Sequence, residues 1–300
     1  MKYVITGGAG NISRPLALRL LAQGHEVKVI GRKADHLKEL VAAGAQAVIG
    51  SVEDVGFLAG AFKGSDAVYS MIPPYLQASD WKAYIGSIGQ NYADALRDSG
   101  VRYLVNLSSV GAHLPEGAGP VSGLFRAEAA LNTLEKVHVL HLRPSYFYQN
   151  LLANIPMIKA AGIIGSNFSI EAGKFPIVHT NDIADVAAEE LLNLKFSGHG
   201  YRYIASDVVG TDDIAREIGH AIGKPELSWV KFEDEQAMQG MIQAGLPAEV
   251  AGNYVEMGRS LHEGRMVEDY WIHQPSLGKT KLSEFAKEFA AIFQQSQVAS

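Results

Sequence analysis

Val4-Ile5-Thr6-Gly7-Gly8-Ala9-Gly10-Asn11-Ile12-Ser13 is a β-branched run, a glycine-rich bend and the opening of a helix. Ile12, Leu16 and Leu20 recur one turn apart beyond it, so that helix buries a single face. A strand that turns on glycine into a helix presents free N–H groups and a positive dipole end to whatever lies above the loop. Gly7 permits the tight turn, and Gly10 lets backbone approach a pyrophosphate. Asn11 suits the N-cap of the helix, and Ile12 follows it. Ser13 stands where a third glycine or alanine usually eases helix–strand packing. The position after a first strand and before an apolar-faced helix points to dinucleotide binding rather than to a plain turn.

Outward from this stretch, strands and helices alternate. Strands are predicted at 27–30, 47–49, 67–72, 103–107 and 137–142, with helices at 36–43, 55–62, 80–98 and 122–134. Such alternation builds βαβ units, hence an α/β doubly wound parallel sheet, the Rossmann fold, whose ligand lies beyond the carboxyl ends of the strands. After Arg143-Pro144 the rhythm changes: residues 145–178 lack clean periodicity. Helices follow at 182–194, 213–222 and 282–293, strands at 201–205 and 227–232, and a mainly helical stretch at 234–264. We therefore expect an NAD(P)-binding domain over 1–150 and a smaller α/β substrate-binding cap over 151–300, one strand of which can return to the main sheet. Thr180-Asn181-Asp182 offers good capping chemistry for the helix that follows.

Composition narrows the function classes. The 300 residues include 47% apolar side chains, enough for a sizeable core. With 26 basic against 32 acidic residues, net −6, the chain makes a poor partner for nucleic acid or an anionic membrane. No cysteine is present, which excludes disulfides, thiolate nucleophiles and iron–sulfur clusters. No apolar run approaches a membrane span, and Lys2 runs straight into a strand without a leader, so a cytoplasmic protein is expected. His138 and His141, three apart on a strand, point to opposite faces, so no metal site is expected. The absence of Gly-x-Ser-x-Gly argues against an α/β-hydrolase.

Cofactor choice rests on Gly31-Arg32-Lys33. An acid at the end of the second strand would accept from the ribose 2′-hydroxyl of NAD(H). Two cations instead suit a 2′-phosphate, so NADP(H) is preferred over NAD(H), the alternative being a solvated basic loop. Arg14 can join the same phosphate or stand in solvent.

These residues resemble a family, the NmrA-like group of atypical short-chain dehydrogenases. The likeness is carried by Thr6-Gly7-Gly8-Ala9-Gly10-Asn11-Ile12, Arg32, Ser51-Val52-Glu53-Asp54, Asn106-Leu107-Ser108-Ser109-Val110-Gly111, Leu142-Arg143-Pro144-Ser145-Tyr146-Phe147-Tyr148-Gln149-Asn150 and Asp182-Ile183-Ala184-Asp185-Val186. That group holds NADPH-dependent triphenylmethane and quinone reductases and redox-sensing regulators. The resemblance implies that Asp54 and the turn Met71-Ile72-Pro73 line adenine and ribose, and that Ser108, Ser109, Pro144, Tyr146 and Phe147 flank the nicotinamide. Asp54 can equally cap the helix that starts near Val55.

One expected feature is missing. Conventional short-chain dehydrogenases carry a Tyr and a Lys four residues later on one helical face. None of the 12 tyrosines has that lysine, and Ser122–Glu128 contains neither residue type. His113 and Tyr148, both beyond strand ends, are the substitute proton donors, and Tyr75, His113 and Tyr148 are expected to line the substrate pocket. Two functions remain in view. One is an NADPH-dependent reductase of a small quinone-like or aromatic acceptor. The other is a non-catalytic NADP(H)-sensing regulator that binds a protein partner; a homodimer suits either.

Overall fold

The computed structural model describes residues 1–298. Its first half runs β1 (Lys2–Ile5), α1 (Ser13–Ala22), β2 (Glu26–Gly31), α2 (Lys38–Ala42), β3 (Gln46–Ile49), α3 (Val55–Phe62), β4 (Ala67–Ser70), α4 (Trp81–Arg97), β5 (Tyr103–Leu107), α5 (Pro120–Leu131) and β6 (His138–Pro144). Strand period assigns the two faces of this sheet. Tyr3 and Ile5 of β1 share one core with Val27, Val29, Tyr69 and Val105. Val4, between them, points into another with Ile30, Val68, Leu104 and Val139. A strand buried on both faces is what a parallel sheet covered by helices requires.

The second half comprises β7 (Tyr146–Phe147), α6 (Ile155–Ala161), β8 (Ile164–Ser166), β9 (Phe175–Val178), α7 (Thr180–Asn193), β10 (His199–Ile204), β11 (Asp207–Val209), α8 (Thr211–Ala221), β12 (Trp229–Lys231), α9 (Asp234–Gln243), α10 (Ala248–His262), α11 (Glu268–Ile272) and α12 (Leu282–Val298). The main sheet has seven strands in the order β10-β6-β5-β4-β1-β2-β3. All its pairs are parallel, with β10 beside β6 in the register Tyr201↔His141. The fold is thus the α/β Rossmann architecture, and β1 lies at the point where strand order reverses. Two small sheets, β11-β9-β7 and β12-β8, belong to the later half. Among the described residues no helix is long and apolar enough to cross a membrane.

Three local expectations need correction. Helix α5 starts at Pro120 and ends at Leu131, not over 122–134. It starts early because Gly119, with φ of 57°, turns the chain where a Cβ would lie 2.0 Å from the Asn253 carbonyl oxygen. Helix α7 is capped by His179, whose ring accepts from the Asn181 N–H at 3.1 Å, rather than by Thr180, Asn181 or Asp182. Asn11 is not the N-cap of α1 either: Ile12 occupies that position, and no side chain caps the helix.

Candidate functional site

The glycine loop leaves β1 at the reversal point and is bound to its neighbours by backbone. Gly7 adopts φ of 64°, Gly10 N–H donates to the Gly7 carbonyl at 2.8 Å, and Gly8 N–H donates to Ile30 at 2.9 Å. A Cβ on Gly7 would lie 2.5 Å from Met71 Sδ, so both conformation and space require glycine there. Thr6 Oγ1 accepts from the Met71 N–H at 2.9 Å, and the Tyr92 hydroxyl donates to the Met71 carbonyl at 2.7 Å. The loop and the Met71-Ile72-Pro73 turn are thereby held as one rim. Above Gly10 the protein leaves space: a Cβ would meet only the Gly7 oxygen, at 3.1 Å. An uncapped helix end facing that space fits an anion such as a pyrophosphate.

On the β2–β3 side, Arg32 and Lys33 are exposed. Among the described residues no ion pair or hydrogen bond engages either side chain. Arg14 is instead paired with Glu39 across the surface, which leaves Arg32 and Lys33 as the free cations of the loop. Asp54 caps α3, accepting from the Phe57 N–H at 2.9 Å. Tyr75 packs against Tyr84 at the head of α4, ring centroids 5.1 Å apart. That puts it on the Glu53 side of the cleft, since the Tyr84 hydroxyl donates to Glu53 at 3.1 Å.

At the other end, the loops after β5 and β6 are stitched together: Ser108 N–H donates to Leu142 at 2.7 Å and Val110 N–H to Pro144 at 2.9 Å. The Ser108 hydroxyl does not face the cleft. It donates to Glu128 Oε1 at 2.5 Å, and Glu128 in turn accepts from Arg143 Nε at 3.1 Å and Nη2 at 2.6 Å. Burial works against the Arg143 charge, but Glu128 outweighs it and holds the guanidinium more firmly protonated than usual. Tyr201 lies under the same guanidinium at 4.1 Å, and Tyr203 links it to Asp269. Sequence reading missed this network. Its signal was present: Arg143 interrupts an otherwise apolar strand, and a buried charge needs a partner.

Ser109 is half-buried and its hydroxyl donates to the Val110 carbonyl at 2.9 Å. Tyr146 packs on Phe175 and Phe168, with centroids 5.1 and 5.9 Å away, and Phe147 is half-buried beside it. The two expected proton donors are differently placed. Tyr148 is fully buried, stacked 5.0 Å from Phe285 of α12, and its hydroxyl donates to the Thr280 carbonyl at 3.3 Å. Burial, with Asp207, Asp182 and Glu284 nearby, pushes its phenol well above the ordinary value. It belongs to the core, because α12 packs back over it through Phe285. His113 is joined to Glu268 of α11 at 3.3 Å, and its buried Nδ1 has no partner among the described residues. Of the two strand histidines, His138 accepts from the Gly198 N–H, while His141 is buried between Asn106 and Asn132 at 3.1 and 3.0 Å.

A glycine loop at the reversal point, an uncapped helix end and free cations past β2 define a class: Rossmann-fold dinucleotide-binding proteins. Residues 7–139 match a family model described as NAD(P)H-binding. Among characterised relatives, a (4-alkanoyl-5-oxo-2,5-dihydrofuran-3-yl)methyl phosphate reductase of Streptomyces griseus is 24% identical over 265 residues, covering 87% of each chain. An NAD(P)H azoreductase of Xenophilus azovorans is 24% identical over 83% of each. Among solved structures, the NADPH complex of the quinone oxidoreductase QOR2 from Escherichia coli superposes with a TM-score of 0.80 at 18% identity, covering 95% of this chain and 99% of that one. Triphenylmethane reductase of Citrobacter sp. complexed with NADP(H) gives 0.73 at 19% identity over 97% and 100%. The negative transcriptional regulator NmrA in complex with NADP gives 0.72 at 15% identity over 99% and 97%. The resemblance to the NmrA-like group expected from the motifs is borne out in the fold these proteins share.

Proposed function

We propose that the chain is an NADPH-dependent reductase of a small quinone-like or aromatic acceptor, acting in the cytoplasm. The observation that carries this reading is Arg32: exposed, unpaired among the described residues, and one residue past β2 where an NAD-selective site would carry an acid. Gly7, Gly10, Asn11 and Ile12 would hold the pyrophosphate with backbone N–H groups, and Arg32 and Lys33 the 2′-phosphate. Asp54, Met71, Ile72 and Pro73 would line adenine and ribose; Ser108, Ser109, Pro144, Tyr146 and Phe147 would border the nicotinamide. When bound, that ring supplies the hydride. Neither expected proton donor stands free, since His113 is tied to Glu268 and Tyr148 is buried. An acceptor that takes its proton from water suits such a site, because positioning alone supplies much of the rate.

The test has two parts. NADPH oxidation by the purified protein is followed with quinones, azo dyes and triphenylmethane dyes, and turnover is expected with at least one. Dissociation constants for NADPH and NADH are then measured for wild type and Arg32→Ala. Charge-assisted bonds to the 2′-phosphate predict about a ten- to hundredfold preference for NADPH, lost in the variant. Equal affinity in wild type, or equal weakening of both, refutes the assignment. The missing Tyr/Lys pair and the buried Tyr148 favour one second reading, an NADP(H) sensor with a protein partner. NADPH binding with no turnover across the whole panel would select it.

A further inference from the structure

A cluster beside Arg32 has no part in that reading. Arg32 leaves β2 and Glu53 leaves β3, and these strands are neighbours with Gly31 opposite Ile49 and Gly50 N–H donating to Gly31 at 3.1 Å. Arg32 directly follows β2 while Glu53 lies in the loop after β3, so opposite charges sit past the ends of adjacent strands. Among the described residues no ion pair joins them. Glu53 is instead engaged by Tyr84, whose hydroxyl donates to Oε1 at 3.1 Å. The backbone beneath is fixed, since Asn91 Nδ2 donates to the carbonyls of Val52 and Glu53, each at 3.3 Å. Tyr84 is itself braced by Tyr75, and the Arg32 charge reaches its hydroxyl.

We infer that the Tyr84 hydroxyl is a positioning group that holds the Glu53 carboxylate off Arg32 and so leaves the guanidinium free for the 2′-phosphate of NADPH. The inference rests on the reading that Arg32 takes that phosphate. Without the hydroxyl, the Glu53 carboxylate can turn to Arg32, whose charge reaches the same hydroxyl, and an anion seated there both occupies the guanidinium fork and repels the phosphate. Partial burial and the Glu53 bond push the Tyr84 phenol up to about 12, so it remains a donor at any working pH. The nicotinamide end of the cleft is untouched, so only the phosphate-bearing cofactor senses the change.

Tyr84→Phe keeps the ring and its packing while removing the donor. By fluorescence titration it should weaken NADPH about two- to fivefold, the scale of a competing exposed ion pair, and leave NADH unchanged. Adding Glu53→Gln to Tyr84→Phe should restore NADPH affinity to the wild-type value or better, which loss of structure would not do. Unchanged NADPH affinity in Tyr84→Phe, equal weakening of both cofactors, or no rescue in the double variant overturns the inference. Arg32→Ala, run alongside, separates the two failures. If it leaves NADPH binding intact, the 2′-phosphate reading has failed; if it weakens NADPH while Tyr84→Phe does not, only the role of Tyr84 has.

Discussion

Replacing Glu128 by Ala tests the network under the β5–β6 rim. The carboxylate is 6% exposed and its partner Arg143 9% exposed, so the pair sits where water cannot compensate either charge. Truncating one member of such a pair costs about 3–5 kcal/mol, most of it the penalty on the charge left behind. The lower end is expected here. Arg143 keeps Asp269 at 3.5 Å, the Tyr203 hydroxyl at 3.4 Å and the Tyr201 ring at 4.1 Å. At roughly 2.1 cal/mol/K per residue of unfolding entropy, a loss of ~3 kcal/mol lowers the thermal midpoint of a chain this size by about 5 °C. Urea unfolding should show the same loss as a shifted midpoint with an unchanged slope. Glu128→Leu combined with Arg143→Met removes both buried charges and should be less destabilised than Glu128→Ala alone, because no guanidinium is left buried without its carboxylate, and Asp269, which loses Arg143, keeps the Tyr203 hydroxyl at 2.5 Å. A loss below ~1 kcal/mol for Glu128→Ala would show the pair to be no better than a surface bridge and would refute the reasoning.

Two further outcomes are expected. Gly10→Val should abolish dinucleotide binding with little change in thermal midpoint, since a Cβ there meets only the Gly7 oxygen at 3.1 Å while its methyls fill the space above the loop; NADPH affinity retained in the folded variant would reassign that space. Burial lowers His141 from 6.5 to about 4, so between those values the unfolded chain binds the extra proton. Stability should therefore fall as pH drops from about 6.5 to 4, by roughly 3 kcal/mol from this group. Urea midpoints of wild type and His141→Gln across that range check it, and an equally steep fall in the variant would exclude His141 as the cause.

The Rossmann half was legible because its signals are local. Strand period, helix period and glycine at Gly7 are properties of a few adjacent residues, and a βαβ chain has one favoured way to close. The position of Arg32 and Lys33 directly past β2 was readable for the same reason, since it depends only on where the strand ends. Readings failed where a distant segment decided. Tyr148 follows a strand end, which reads as a rim position, yet Phe285 and Thr280, more than a hundred residues later, enclose it. Asp182 reads as a helix cap, yet its carboxylate binds Thr280 and Ser206 and ties down the segment leading into α12.

By itself, then, the sequence determined a parallel sheet, a glycine bend at the end of its first strand and a pair of cations past the second, all of them consequences of period, φ and local charge. Tertiary structure alone decided which polar groups remain free. It turned Ser108 inward to Glu128, tied His113 to Glu268, and gave Glu53 to Tyr84 rather than to Arg32. The physical reason is that a hydrogen-bonding group takes its partner from whatever packing brings within about 3 Å, and packing joins residues that chain order keeps far apart.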